Sequence, residues 1–249
     1  VKFFVGMHQP HSVRHVTHPA CVSYQRLRAR RSDFVVNEWL LDSGAFTEVA
    51  LRGGYRDAPE VYAAAVVRWA GVGRMLAAVS QDYMCEPFVL AKTGLTLRTH
   101  QRLTIERYDA IRAAVPASIH ILPVLQGFMP SDYVRHIADY GSRLVPGMWV
   151  GVGSVCKRNA NVRDIAAVLR AIKAERPDLR LHGFGVKLTA LQSHEVRSLL
   201  HSADSMAWSS AARWAGEDAN DWHNAQKFAD RIVGGASLDS RPMEALWNG

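Results

Sequence analysis

Six polar or glycine positions fall at or just past the ends of apolar runs, and they recur along most of the chain at intervals of 22 to 44 residues. They are Asp42 in LLDSGAF, Asp82 in AVSQDYMCEP, Gln126 in ILPVLQGF, Gly153 in WVGVGS, His182 in LRLHGFGV and Asp204 in ADSMAWSS. A strand that closes on a functional side chain, with helix before the next strand, is the pattern of an α/β fold of the (β/α)8, TIM-like barrel type. Such a barrel assembles its active site from the C-terminal ends of several strands. The pattern therefore predicts one pocket gathered from distant positions, and it nominates Asp42 and Asp204 as its chemistry.

Seven strands can be placed: KFFVGM, VVNEWLL running into Asp42, MLAAVS, HILPVLQG, MWVGVGS, LRLHGFGV and ADSMAWS. An eighth cannot, and HQPHSVRHVTHP reads as a long polar loop. Helices are predicted over PEVYAAAVVRWAG, over about 99–115 before Pro116, and over SDYVRHIADYG with Ser131 as N-cap and Gly141 as stop. Three more are predicted over NVRDIAAVLRAIKAE, over LTALQSHEVRSLLHS and over about 219–233, followed by an irregular tail of fifteen residues. Alternating strand and helix implies a parallel sheet clad in helices. An open doubly wound sheet is the alternative, but no GxGxxG opens the first helix. The 249 residues suit one catalytic barrel spanning 1–249.

Composition narrows the setting. No apolar run approaches the roughly 18–20 residues of a membrane span, and KFFVG is too short for a signal-peptide core. Cys21, Cys85 and Cys156 form no CxxC pair, which argues against a disulfide framework or a cysteine-rich zinc site and fits a reducing, cytoplasmic setting. The net charge of +7 favours a polyanionic partner. Arginines cluster at 26, 28, 30 and 31 and recur at 98, 102, 107 and 112, while Lys157 and Arg158 directly follow the glycine-rich strand end. That last pair is placed to hold a nucleic-acid backbone, or else to begin a solvated helix.

Two aspartates in one pocket suit a two-step displacement at a sugar carbon: one attacks, the other shuttles protons. Singly, each is better explained as a helix cap or a buried hydrogen-bonding group. The accompanying residues favour chemistry. Asp82 can accept from the amine and ring N–H of a guanine edge, Gln126 offers both donor and acceptor, and GVGS presents unobstructed backbone N–H groups. Tyr83, Met84 and Phe128 can flank a flat ring, or simply pack the core.

These segments resemble the tRNA-guanine transglycosylases and their DNA-acting relatives, the 7-deazaguanine DNA transglycosylases of phages and bacterial islands. The resemblance runs from about 36 to 214. LDSGAF is similar to the family's DSGGF motif, which implies proton transfer by Asp42 and base contact by the adjoining Ser43. SQDYMCEP, VLQG and GVGS resemble its base-binding segments, which implies that role for Asp82, Tyr83, Gln126 and Gly153. HGFGV resembles a strand end whose variable position, here His182, lines the pocket, and ADSMAWS resembles the segment of the nucleophile, here Asp204. The resemblance implies exchange of guanine for a free 7-deazaguanine such as preQ0 through a glycosyl-aspartate, with no cofactor. No cysteine follows Cys156, so the zinc module of the tRNA enzymes is expected to be absent, and DNA becomes the expected polymer with tRNA as the alternative. Ala45 stands where the motif has its second glycine. A non-catalytic nucleic-acid-binding barrel is the rival from another class; retention of both aspartates speaks against it.

Other residues invite competing readings. His8, His11, His15 and His18 could suggest metal, but Pro10 breaks both the spacing and the helix, so no metal site is expected, and His8 and His11 are placed at the pocket mouth against nucleic acid. Cys85 beside Glu86 is expected to be an inert thiol. Trp208, Trp214 and Trp222 are expected to pack the closing helices rather than stack on bases.

Overall fold

The computed structural model describes residues 1–155 and 161–234. Nine strands follow in chain order: β1 (Lys2–Met7), β2 (Ala20–Ser23), β3 (Glu38–Asp42), β4 (Arg74–Val79), β5 (Ile121–Leu122), β6 (Val124–Leu125), β7 (Trp149–Val152), β8 (Arg180–Gly183) and β9 (Ser202–Ser205). All pair in parallel, in the order β5-β4-β3-β2-β1-β9-β8-β7-β6. The two edges of this sheet, β5 and β6, are the halves of the single predicted strand HILPVLQG, parted by Pro123. Proline has no N–H for the ladder, yet its carbonyl still accepts from Gly151 N at 2.8 Å. One half pairs back to β4 and the other on to β7, so the sheet curls into a nearly closed, TIM-like barrel of eight staves.

The stave that the sequence did not disclose is β2, four residues (ACVS) lodged between β1 and β3. The polar run before it is a 3₁₀ turn, Pro10–His15, with Pro at its start. Outside the barrel lie α1 (Tyr24–Leu27), α2 (Pro59–Trp69), α3 (Pro87–Thr93), α4 (Leu97–Ala114), α5 (Pro130–Tyr140), α6 (Val162–Glu175), α7 (Leu188–Gln192), α8 (His194–Leu199), α9 (Ala207–Trp214) and α10 (Trp222–Val233). Two predicted details change. LTALQSHEVRSLLHS is two helices, because Ser193 leaves helical geometry and caps α8 through Val196 N. Helix α5 starts at Pro130, not after Ser131: Met129 occupies the cap position, and Asp132 takes the N–H groups of Phe128 and Met129. The fifteen-residue tail lies outside the described residues. Among the described residues no helix is long and apolar enough to cross a membrane.

Strand parity sorts the core into two. Phe3, Val5, Trp39, Leu41, Val150, Val152, Leu181 and Ala203 face outward and pack against the helices. Phe4, Cys21, Leu40, Ala77, Val79, Leu122, Val124 and Trp149 face inward and fill the barrel. Asp42 lies two residues beyond Leu40, Gly153 four beyond Trp149, and Asp204 in register with Phe4. The same alternation that builds the inner core thus delivers these positions to the barrel's C-terminal mouth.

Candidate active site

Asp42 ends β3 and Asp204 is the penultimate residue of β9; both are partly exposed, and their surroundings differ. Asp42 accepts from Gly44 N at 3.0 Å, with Ser23, its register partner on β2, bonded to the same carboxylate. Gly44 makes this tight turn at φ +75°, a conformation that favours glycine. Burial first, and then the neighbouring Asp204 charge, raise the Asp42 pKa to about 6. Asp204 is held by two N–H groups on one oxygen: Gly185 N at 3.1 Å and His182 Nε2 at 3.2 Å both reach Oδ1. Its Oδ2 has no hydrogen-bond partner among the described residues. One carboxyl is thus primed to carry a proton near neutrality while the other presents a free lone pair, the division of labour that acid-assisted displacement requires.

Across the mouth, the base-recognition candidates form a closed polar cluster. The Gln126 amide donates to Asp82 Oδ2, and its Oε1 lies 2.7 Å from Ser154 Oγ. Ser154 Oγ also lies 2.8 Å from Glu86 Oε2 and accepts from Cys85 N at 2.9 Å. Asp82, Glu86, Gln126 and Ser154 are all buried. Ser154 owns a single hydroxyl hydrogen and touches two acceptors, Glu86 Oε2 and Gln126 Oε1, so it serves one of them at a time. Burial, with the Asp42 and Glu86 charges adding to it, raises the Asp82 pKa to about 7. Gly153 makes room for this arrangement, since a Cβ there would overlap the Gln126 amide. Its own N–H bonds Leu125 O at 2.9 Å and its carbonyl accepts from Tyr133 at 2.8 Å. Ser154 sits at φ +56°, strain that aims its hydroxyl into the cluster.

The remaining candidates are spread around this centre. Ser43 is buried beside Asp42, and its hydroxyl has no hydrogen-bond partner among the described residues. Tyr83 packs edge-on against Tyr55 and His100, beside a small hydrophobic cluster that includes Met84 and Val89. Half-exposed His8, just past β1, accepts from Arg26 at Nδ1 and so donates from Nε2 to Ser209 Oγ at 3.1 Å. Burial, then Arg26 and Arg213, lower its pKa. His11 is exposed on the 3₁₀ turn, His15 stacks on Trp222, and His18 pairs with Asp230. This dispersal leaves no metal-binding group of His, Cys, Asp and Glu among the described residues. Lys157, Arg158 and Cys156 lie outside the described residues.

The chain matches the model of the family DpdA, "DeoxyPurine in DNA protein A", over residues 1–227, which includes every strand of the barrel. The chain belongs to the DpdA family. That membership means involvement in the modification of DNA with deazapurines, in a family related to the tRNA-guanine transglycosylases. No curated protein matches the chain.

For a DpdA barrel, the sequence missed several residues that complete the site. Ser23 was invisible because β2 was not read as a strand. Trp149 sits on a correctly read strand, where nothing in its spacing distinguishes it from core, whereas Ser202 was read as the end of the helix LTALQSHEVRSLLHS and in fact opens β9. Cys21 lines the barrel below both aspartates: burial and then their two charges hold its thiol protonated. The arginine series of α4, read as a basic stripe, is instead tied down. Arg98 pairs with Asp139, Arg102 with Glu106, Arg107 with Gln81 and the Asp57 carbonyl, and Arg112 with backbone carbonyls. Cys85 is buried, and burial followed by the Glu86 charge pushes its thiol up.

Proposed function

We propose that this chain exchanges guanine in DNA for a 7-deazaguanine base through a covalent glycosyl-aspartate on Asp204. The observation that carries the reading is the asymmetry of the two carboxyls, one with a raised pKa and the other anchored by a single oxygen. Oδ2 of Asp204 attacks C1′ of the target nucleotide, the C1′–N9 bond breaks, and Asp42 gives its proton to the departing guanine. The incoming deazaguanine then returns a proton to Asp42 as its ring nitrogen attacks C1′, the ester bond breaks, and Asp204 is regenerated. No cofactor enters this balance. Asp82 and Gln126 read the amine and N–H edge of either base, with Tyr83 on the pocket wall. In duplex DNA the target must first leave the stack, at a cost of a few kcal/mol.

The test is incubation of the purified protein with radiolabelled guanine and, separately, duplex DNA and tRNA, with Asp204→Ala in parallel. Label is expected in DNA and is expected to vanish in the variant. Label confined to tRNA would overturn the polymer. Release of free base from DNA without incorporation would make the chain a hydrolase, and inertness toward both polymers would overturn the enzymatic reading.

A further inference from the structure

We propose that Trp149, Ser202 and His182 form a directed chain of hydrogen bonds that fixes which oxygen of Asp204 attacks the sugar. The proposal rests on the exchange reading for its kinetic consequences, but its geometry stands apart from it.

Three neighbouring strands supply the chain. His182 on β8 is in register with both Gly151 of β7 and Ser202 of β9, and Asp204 follows Ser202 on the same face. Trp149 Nε1 lies 2.8 Å from Ser202 Oγ, Ser202 Oγ 2.9 Å from His182 Nδ1, and His182 Nε2 3.2 Å from Asp204 Oδ1. Trp149, Ser202 and His182 are all buried.

Donor and acceptor roles fix the direction. An indole N–H only donates, and an ionised carboxylate only accepts. Nε2 of His182 therefore carries the hydrogen that faces Asp204. If Nδ1 also carried one, Ser202 would receive two donors, and its own hydrogen would need a third partner. Ser202 Oγ has none among the described residues. The consistent assignment runs from Trp149 N–H to the Ser202 hydroxyl, from that hydroxyl to Nδ1, and from Nε2–H to Asp204. The rings of Phe4, Trp149 and Phe184 surround the imidazole at centroid distances of 5.9, 5.9 and 4.7 Å, so the ring cannot easily swing away.

The chemical consequence is regiochemical. Oδ1 already accepts from His182 and from Gly185, so Oδ2 holds the lone pair that attacks C1′. When the O–C1′ bond forms and C1′–N9 breaks, Oδ1 becomes the ester carbonyl oxygen and keeps both donors. When the incoming base displaces the ester, the same two donors receive the returning negative charge. His182 acts through Asp204 as a positioning residue, with Ser202 and Trp149 fixing its tautomer.

The experiment combines spectroscopy with exchange kinetics on the full chain. With ¹⁵N-labelled histidine, the resonances lost in His182→Gln are expected to show a protonated Nε2 and an unprotonated Nδ1. His182→Leu is expected to lower kcat for guanine exchange into DNA by about 10- to 100-fold, the range for a hydrogen bond to a charged group. The KM for the base should move less than about two-fold, since the loss falls on the reacting oxygen. His182→Gln, which can restore an N–H toward Oδ1, is expected to recover most of the rate. Should the leucine variant not fold, Ser202→Ala tests the same point: it should mix the two tautomers and slow exchange by a smaller factor. A wild-type ring protonated at Nδ1, a folded His182→Leu with wild-type turnover, or a glutamine variant no better than leucine would each overturn the proposal. If no exchange occurs in the wild type, the reading of the activity fails, and the tautomer alone decides the relay.

Discussion

The two sides of the barrel mouth use buried polar groups in opposite ways. On the β3 and β9 side, carboxylates keep something in reserve: Oδ2 of Asp204 is unbonded among the described residues, and Asp42 has a pKa of about 6. On the β4, β6 and β7 side, Asp82, Gln126, Ser154 and Glu86 are bonded into one another. Bond making needs a free lone pair and a mobile proton. Recognition needs a fixed edge of donors and acceptors, and a closed network keeps that edge in place until a base exchanges partners with it. The contrast teaches that the same residue type, aspartate near a strand end, is given different hydrogen-bonding environments, and the proposed function assigns them different tasks.

The largest effects test the reactive side. Asp204→Asn is expected to abolish exchange, by at least about 10⁴-fold, as for other nucleophile deletions. It should also lower the Asp42 pKa from about 6, because the neighbouring negative charge is the second cause of its elevation. An Asp42 titration by NMR that stays in place would break the proposed coupling. Asp42→Asn is expected to slow exchange by about 10²- to 10⁴-fold. In the wild type, kcat/KM should fall as pH rises through about 6, because Asp42 must donate a proton to the leaving base. That limb should be missing in the variant.

How much of this was legible in the sequence follows from the same physics. Seven staves and the inward placement of Asp42, Gly153, His182 and Asp204 follow from alternation, since parity at a strand end decides which face a side chain joins. Strand β2 was illegible because ACVS is only four residues long and adjoins a turn full of histidine and proline, so it shows neither length nor alternation. With it went Ser23, a partner of Asp42. The role of Gly153 was half legible: a small residue at the strand end is evident, but its use as space for Gln126 depends on a side chain 27 positions away. Hydrogen-bond chains such as Trp149–Ser202–His182 leave no periodic trace at all. Charge was the least legible feature, because Arg98 and Arg107 of α4 are matched to Asp139, Gln81 and the Asp57 carbonyl, which only the fold brings near.

A middle-sized effect tests the recognition side. Asp82→Asn is expected to raise the KM for the base by about 10- to 100-fold, the loss of a charged acceptor, with a smaller change in kcat. It should also change the pH dependence of stability. Burial is the main cause raising the Asp82 pKa to about 7 from the 3.8 of an ordinary aspartate. Between those values the native state holds a proton that the unfolded chain has released, so this contribution is favourable at low pH and is lost as pH rises toward 7. The variant should therefore match the wild type in urea unfolding near pH 4 and exceed it by about 1–3 kcal/mol at pH 8. A variant that loses stability at pH 8 would mean that Asp82 is held as a favourable carboxylate accepting from Gln126, and the raised pKa would be refuted.

The smallest effect concerns Ser43, where the two sides of the comparison meet. It adjoins Asp42 in sequence, yet its hydroxyl is buried without a partner among the described residues, a condition that costs about 1–3 kcal/mol in a free protein. Ser43→Ala is expected to leave stability unchanged or raise it by about 1 kcal/mol, since it removes an unsatisfied group and only one atom of packing. If a bound base supplies the missing partner, the same variant should raise the KM for the base by a few-fold, about the worth of one neutral hydrogen bond, while kcat holds. Stability that rises with no change in KM would assign Ser43 to strain alone. A rise in both would make it part of the reading edge, extending recognition to the residue beside the proton donor.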